Sequence, residues 1–134
     1  MSTIDLNTLT TEALGTALWV GYDYREVEDP TPLDDDYGVD DVSDETRAEL
    51  RERLASFVET YADDVSAYLT HTAIVGSGYS PVAMLGHDYV LTCNGHGAGF
   101  WDRGLGELGD RLTDAAHAEG EFDLYVGDDG ELYA

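Results

Sequence analysis

Leu14, Ala17, Leu18 and Trp19 recur at helical spacing, so residues 8–21 predict a first helix. Thr10 or Thr11 serves as its cap, Glu12 favours its first turn, and Gly21 ends it. The pattern then breaks from Tyr22 to Val42, where Pro30 and Pro32 interrupt it and Asp34, Asp35, Asp36, Asp40 and Asp41 crowd together. This stretch reads as an acidic surface loop anchored by Leu33, Tyr37, Val39 and Val42. Ser43 is the N-cap of a long helix whose apolar stripe runs through Leu50, Leu54, Phe57, Val58, Tyr61 and Val65. Glu49 and Arg53, four apart on that helix, are expected to pair.

Residues 70–86 read as loop with a short strand or helical turn at Thr72–Val75. His87–Cys93 is β-branched and aromatic, and it faces Ala98–Asp102 across an Asn94-Gly95 turn, which predicts an antiparallel hairpin. Leu105, Leu108, Leu112, Ala115 and Ala116 predict a helix to about Ala118, closed by Gly120. Glu121–Val126 then alternates and returns through Glu131–Tyr133 across Asp129-Gly130, a second hairpin. The expected fold is α+β: N-terminal helices followed by a small antiparallel sheet of two hairpins with one intervening helix. Residues 1–134 read as a single domain. Trp19, Tyr37, Phe57, Tyr61, Phe100 and Trp101 are expected to build most of its core.

Charge changes the picture more than pattern does. The 134 residues carry 29 Asp and Glu against six Arg and no Lys, a net charge of −23. Hydrophobic residues at 43% and aromatics at 10% nevertheless suffice for a packed core, which excludes an acidic disordered tail. Binding to DNA, RNA or anionic lipid through a basic patch is excluded by the same balance. No apolar run is long enough to span a membrane, and Met1–Asn7 lacks the features of a secretory signal. One cysteine, Cys93, forbids an internal disulfide.

The run Leu91–Ala116 (LTCNGHGAGFWDRGLGELGDRLTDAA) and the ending Asp123–Tyr133 (DLYVGDDGELY) resemble a family of small proteins encoded by bacteriophages and prophages. Thr16–Trp19 (TALW) and Pro32–Tyr37 (PLDDDY) fit the same pattern, so the likeness extends over most of the chain. The resemblance implies a phage context, and with it the cytoplasm of a host cell. It supplies no catalytic residue.

Two chemistries compete for the glycine-rich turn Asn94–Asp102. Its amides form an anion nest, with Cys93, His96 and Asp102 as nucleophile, base and orienting carboxylate of a small enzyme or ligand-binding module. Against that, glycines give the turn its positive φ and leave room for Trp101 to pack. The second reading is preferred, and no catalytic residue is assigned. His87, Asp88, His96 and Asp102 lack a metal-ligand spacing. The Asp34–Asp41 loop fails the EF-hand pattern, because Leu33 and Tyr37 would fall on ligand positions. No metal or other cofactor is expected.

The acidity itself has two physical explanations. In one, carboxylates at regular intervals imitate the phosphates of DNA and occupy the basic groove of a host nucleic-acid-binding protein, as an anti-restriction or anti-CRISPR inhibitor does. The residues expected to make that contact are Asp34, Asp35, Asp36, Asp40, Asp41, Glu45, Glu49, Glu52, Glu59 and Asp63. In the other, the charge is an adaptation to high salt, consistent with the absence of lysine and the excess of Asp over Glu. The first is the preferred expectation: a non-enzymatic interaction protein with a basic partner.

Overall fold

A computed structural model of the chain describes residues 4–25 and 28–134. Glu26 and Val27, within the expected acidic loop, lie outside the described residues, as do Met1–Thr3 at the N-terminus. Helix α1 (Leu6–Val20) leads into a two-stranded hairpin, β1 (Tyr22–Asp23) with β2 (Thr31–Pro32), and then the single helical turn α2 (Leu33–Asp36). A 3-10 turn at Val39–Asp41 precedes α3 (Asp44–Thr60), α4 (Ala62–Thr70), α5 (Thr72–Val75) and α6 (Pro81–Cys93). A second 3-10 turn at Phe100–Asp102 precedes α7 (Glu107–Glu119), and the chain ends in a hairpin of β3 (Tyr125–Val126) with β4 (Leu132–Tyr133).

The fold is therefore mainly helical. The expected sheet of two hairpins around one helix does not form: among the described residues the strands make two separate two-stranded sheets, and Phe100–Asp102, expected as strand, is a 3-10 turn. The C-terminal hairpin is present, pairing Tyr125 with Tyr133 and Val126 with Leu132. His87–Cys93 is instead the second half of α6. Ser80 caps α6 by accepting from the Ala83 N–H at 3.3 Å, and Pro81 occupies its first turn, where a missing N–H costs nothing. The helix is buried on nearly every side, through Met84, Leu85, Asp88, Tyr89, Val90, Leu91, Thr92 and Cys93. A helix apolar all round leaves no 3.6-residue stripe, which is why its composition reads as a strand.

Asn94-Gly95 closes α6 rather than a hairpin. Gly95 adopts φ +68, and the His96 and Gly95 amides donate back to the Leu91 and Thr92 carbonyls at 3.0 and 3.1 Å, a Schellman ending. The Asn94 side chain then clasps the distant Phe122 backbone in both directions, accepting at 2.7 Å and donating at 3.1 Å. Alpha-helix α1 packs most extensively on α6. Gly86 permits that approach: a Cβ there would meet the Ala13 nitrogen at 3.1 Å and the Leu9 carbonyl oxygen at 3.2 Å.

Other boundaries moved by smaller amounts. Asp5, not Thr10 or Thr11, caps α1, accepting from the Asn7 and Thr8 amides at 3.0 and 3.3 Å. Ser43 caps α3 as expected, but the long helix breaks at Tyr61, so Val65 is buried from α4. Leu33 and Val42 anchor the acidic segment in the core, with Tyr37 and Val39 packed against it. That segment also contains the unexpected β1–β2 hairpin. Phe57 and Phe100 are buried, whereas Trp19 and Trp101, expected inside, are 59% and 51% exposed. The aromatic centre is completed by Tyr68, Tyr89 and Phe122.

Asp88 lies in the middle of this core with no exposure. It accepts from the Tyr68 hydroxyl at 2.6 Å and from Arg103 in a forked pair, Nε–Oδ2 at 3.0 Å and Nη2–Oδ1 at 2.9 Å. One carboxylate thus ties α4, α6 and the segment before α7 together. Removing one member of a buried pair leaves an uncompensated charge, so Arg103→Met is expected to cost about 3 kcal/mol in urea unfolding. A loss below about 1 kcal/mol would show that the pair is not a structural tie.

Candidate functional site

The ten carboxylates expected to form the contact surface are all exposed. Asp34, Asp35 and Asp36 make up most of α2, and Asp40 and Asp41 lie on the following 3-10 turn. Glu45, Glu49, Glu52 and Glu59 fall on the side of α3 opposite its buried residues Thr46, Leu50, Leu54 and Phe57. At about 1.5 Å per residue this row extends about 21 Å. Asp63 sits in the first turn of α4, after the break at Tyr61, and so lies off the α3 row. Among the described residues, Asp41 alone of the ten accepts a hydrogen bond, from the Gly38 amide at 2.8 Å.

None of the ten is paired with an arginine among the described residues, because the arginines are engaged elsewhere. Arg25 forks onto Asp23, Arg103 onto Asp88 and Arg111 onto Asp64. Arg47 donates to the Val39 carbonyl at 2.7 Å and Arg51 to the Asn7 side chain at 3.1 Å. Arg53, expected to pair with Glu49, turns inward across the rings of Tyr89 and Phe122. There it donates to the carbonyls of Glu119, Gly120 and Glu121 at 3.3, 2.7 and 3.2 Å. The Glu119 and Gly120 carbonyls close the negative end of α7, where a cation is favoured.

The glycine-rich turn does not assemble a nucleophilic triad. Cys93 is buried, and its sulfur lies 3.8 Å from Arg53, while His96 is exposed and makes no hydrogen bond to Cys93 among the described residues. Asp102 accepts from the Gly99 amide at 3.1 Å, capping its own 3-10 turn, and the Phe100 amide donates to the Thr92 hydroxyl. Burial pushes the Cys93 thiol up to about 11, against a smaller opposing pull from Arg53. Among the described residues, no three His, Cys, Asp or Glu side chains are grouped to hold a metal ion.

A recess the sequence did not suggest lies between α1 and α6. It encloses about 340 Å³ and is lined by Glu12, Thr16, Tyr79, Met84, His87 and Arg103 among others, with a shallower extension against Trp19. The His87 Nδ1 and Thr16 hydroxyl are 3.0 Å apart, and the imidazole stacks on the Trp19 indole at 5.7 Å. Burial lowers the His87 pKa below its usual 6.5, so the ring is neutral at pH 7. The sequence signal was faint: Glu12, Thr16 and Trp19 share a helix face, but their partners are 60 or more residues away. No protein-family model, curated protein or solved structure matches the chain.

A thiol this buried is protected from modification. Cys93 is expected to resist a disulfide reagent at pH 8 in the folded protein and to react fully in urea. Rapid reaction in the folded state would contradict the placement of Cys93 in the core.

Proposed function

We propose that the protein is a non-enzymatic inhibitor that occupies the basic groove of a host nucleic-acid-binding protein in the manner of DNA. The observation that carries this reading is the un-neutralised row Glu45, Glu49, Glu52 and Glu59 on the outer side of α3. Its members are three, four or seven residues apart, so neighbouring carboxylates lie about 5–6 Å from one another or at twice that interval. B-DNA offers one negative charge per about 1.7 Å of axis, and proteins that grip it place Arg and Lys to match. A rigid helix presents such charges without the entropy cost of ordering a flexible acidic tail.

Asp34, Asp35, Asp36, Asp40 and Asp41, which precede α3 in the chain, and Asp63, which follows it, complete the proposed contact surface. The phage resemblance supports the same reading, since blocking a host restriction or CRISPR protein benefits a phage, and it sets the contact in the host cytoplasm. Among the described residues no helix is long and apolar enough to cross a membrane, which is compatible with such a location.

Tagged protein in host lysate at low salt is expected to retain a basic nuclease, effector or regulator that excess duplex DNA displaces. Glu45→Lys, Glu49→Lys and Glu52→Lys together should abolish that capture, because like charges now face each other. His96→Ala with Asp102→Ala should leave it intact. Affinity that is unchanged between about 0.1 and 0.5 M salt would sink the proposal, since exposed charge pairs are screened over that range.

A further inference from the structure

The recess between α1 and α6 contains none of the ten carboxylates assigned to the contact surface, so it stands apart from the reading above. Its volume, about 340 Å³, is at the small end of ligand pockets. Tyr79, 75% exposed, borders it, and Trp19, 59% exposed, borders an adjoining hollow that shares Glu12, Thr16 and His87 with it. Met84 contributes a polarisable wall. Aromatic rings left exposed beside a concavity are candidate ligand contacts rather than core.

The charges lining the recess decide what fits. Arg103 is its cation, but its guanidinium is locked to the buried Asp88 carboxylate by the fork described above. His87 is neutral. Glu12 is exposed and makes no side-chain ion pair among the described residues, so one carboxylate is left uncompensated in the lining. The net −23 of the whole chain adds a field that repels anions and gathers cations. An indole face attracts a cation more strongly than any other side-chain ring, and a planar, weakly hydrated guanidinium both stacks on such a ring and forks onto a carboxylate.

We propose that the hollow shared by Glu12 and Trp19, beside this recess, is a binding site for a guanidinium group, stacked on the face of the Trp19 indole that His87 leaves free and hydrogen-bonded to the Glu12 carboxylate. The group could belong to a free small molecule or to an arginine side chain of a peptide; the chemistry is the same, and the test separates the two.

The full-length protein, labelled for NMR, is titrated with argininamide and with citrullinamide, its neutral isostere. The indole resonance of Trp19, identified by its loss in Trp19→Phe, is expected to shift saturably with argininamide. That of Trp101 should stay still. Citrullinamide should bind about tenfold more weakly, the value of one cation–ring contact. Glu12→Gln, an exposed change that keeps the fold, should weaken argininamide about fivefold. An acetylated and amidated Gly-Arg-Gly peptide that binds as well as argininamide assigns the site to an arginine side chain; binding of argininamide alone assigns it to a small molecule. Equal shifts with argininamide and citrullinamide, or a Trp19 resonance that moves with neither, would overturn the proposal.

Discussion

Asp88 is a carboxylate without access to water in a chain that already carries 23 net negative charges. Two side chains from neighbouring elements compensate that charge. Arg103 forks onto it from the segment before α7, and Tyr68 donates to it from α4, so the central helix α6 is fixed to both neighbours by one group. Hydroxyl burial beside the carboxylate raises the Tyr68 pKa, chiefly through desolvation, so the phenol remains a donor at every ordinary pH. An ion pair of this kind contributes little net stability compared with an apolar replacement, but it is severe on alternatives that separate its members. Its part in this fold is to define which helices meet.

The same scarcity of cations shapes the surface. Each arginine is held by a specific internal acceptor: a carboxylate for Arg25, Arg103 and Arg111, a carbonyl or amide oxygen for Arg47, Arg51 and Arg53. Arg53 shows the priority most clearly, since it leaves Glu49 in favour of the carbonyls ending α7. The outer side of α3 and the segment before it consequently carry exposed carboxylates with no arginine partner among the described residues, on a scaffold whose helices are packed around Phe57, Tyr68, Tyr89 and Phe100. An acidic face of this kind gains little for folding, because its charges repel one another.

Local signals in the sequence were legible where a helix had one wet side. Ser43 and the Leu50–Leu54–Phe57 stripe located α3, and Leu108, Leu112 and Ala116 located α7. Asp129-Gly130 located the last hairpin. The expectation failed at α6 because burial on all sides removes the polar half of the pattern, leaving HDYVLTC to be judged by strand propensity alone. Ser80-Pro81 was the available start signal, and Asn94-Gly95 serves a helix end as well as it serves a hairpin turn. Trp19 and Trp101, expected in the core, are each at least half open to solvent. The acidic surface could be named residue by residue, since exposed carboxylates need no tertiary information. The α1–α6 recess could not, because Thr16 and His87 are 71 residues apart in the chain.

The central claim is that the acidity serves contact with a basic partner rather than survival in concentrated salt. Circular dichroism of the isolated protein in about 0.1 M salt, compared with about 3 M salt, tests it most directly. The account predicts the same helical spectrum and a cooperative thermal transition at both, because Arg103 already compensates the buried Asp88 carboxylate and the packed core carries the fold. A chain that is unfolded at about 0.1 M and acquires its helices only at molar salt would contradict it.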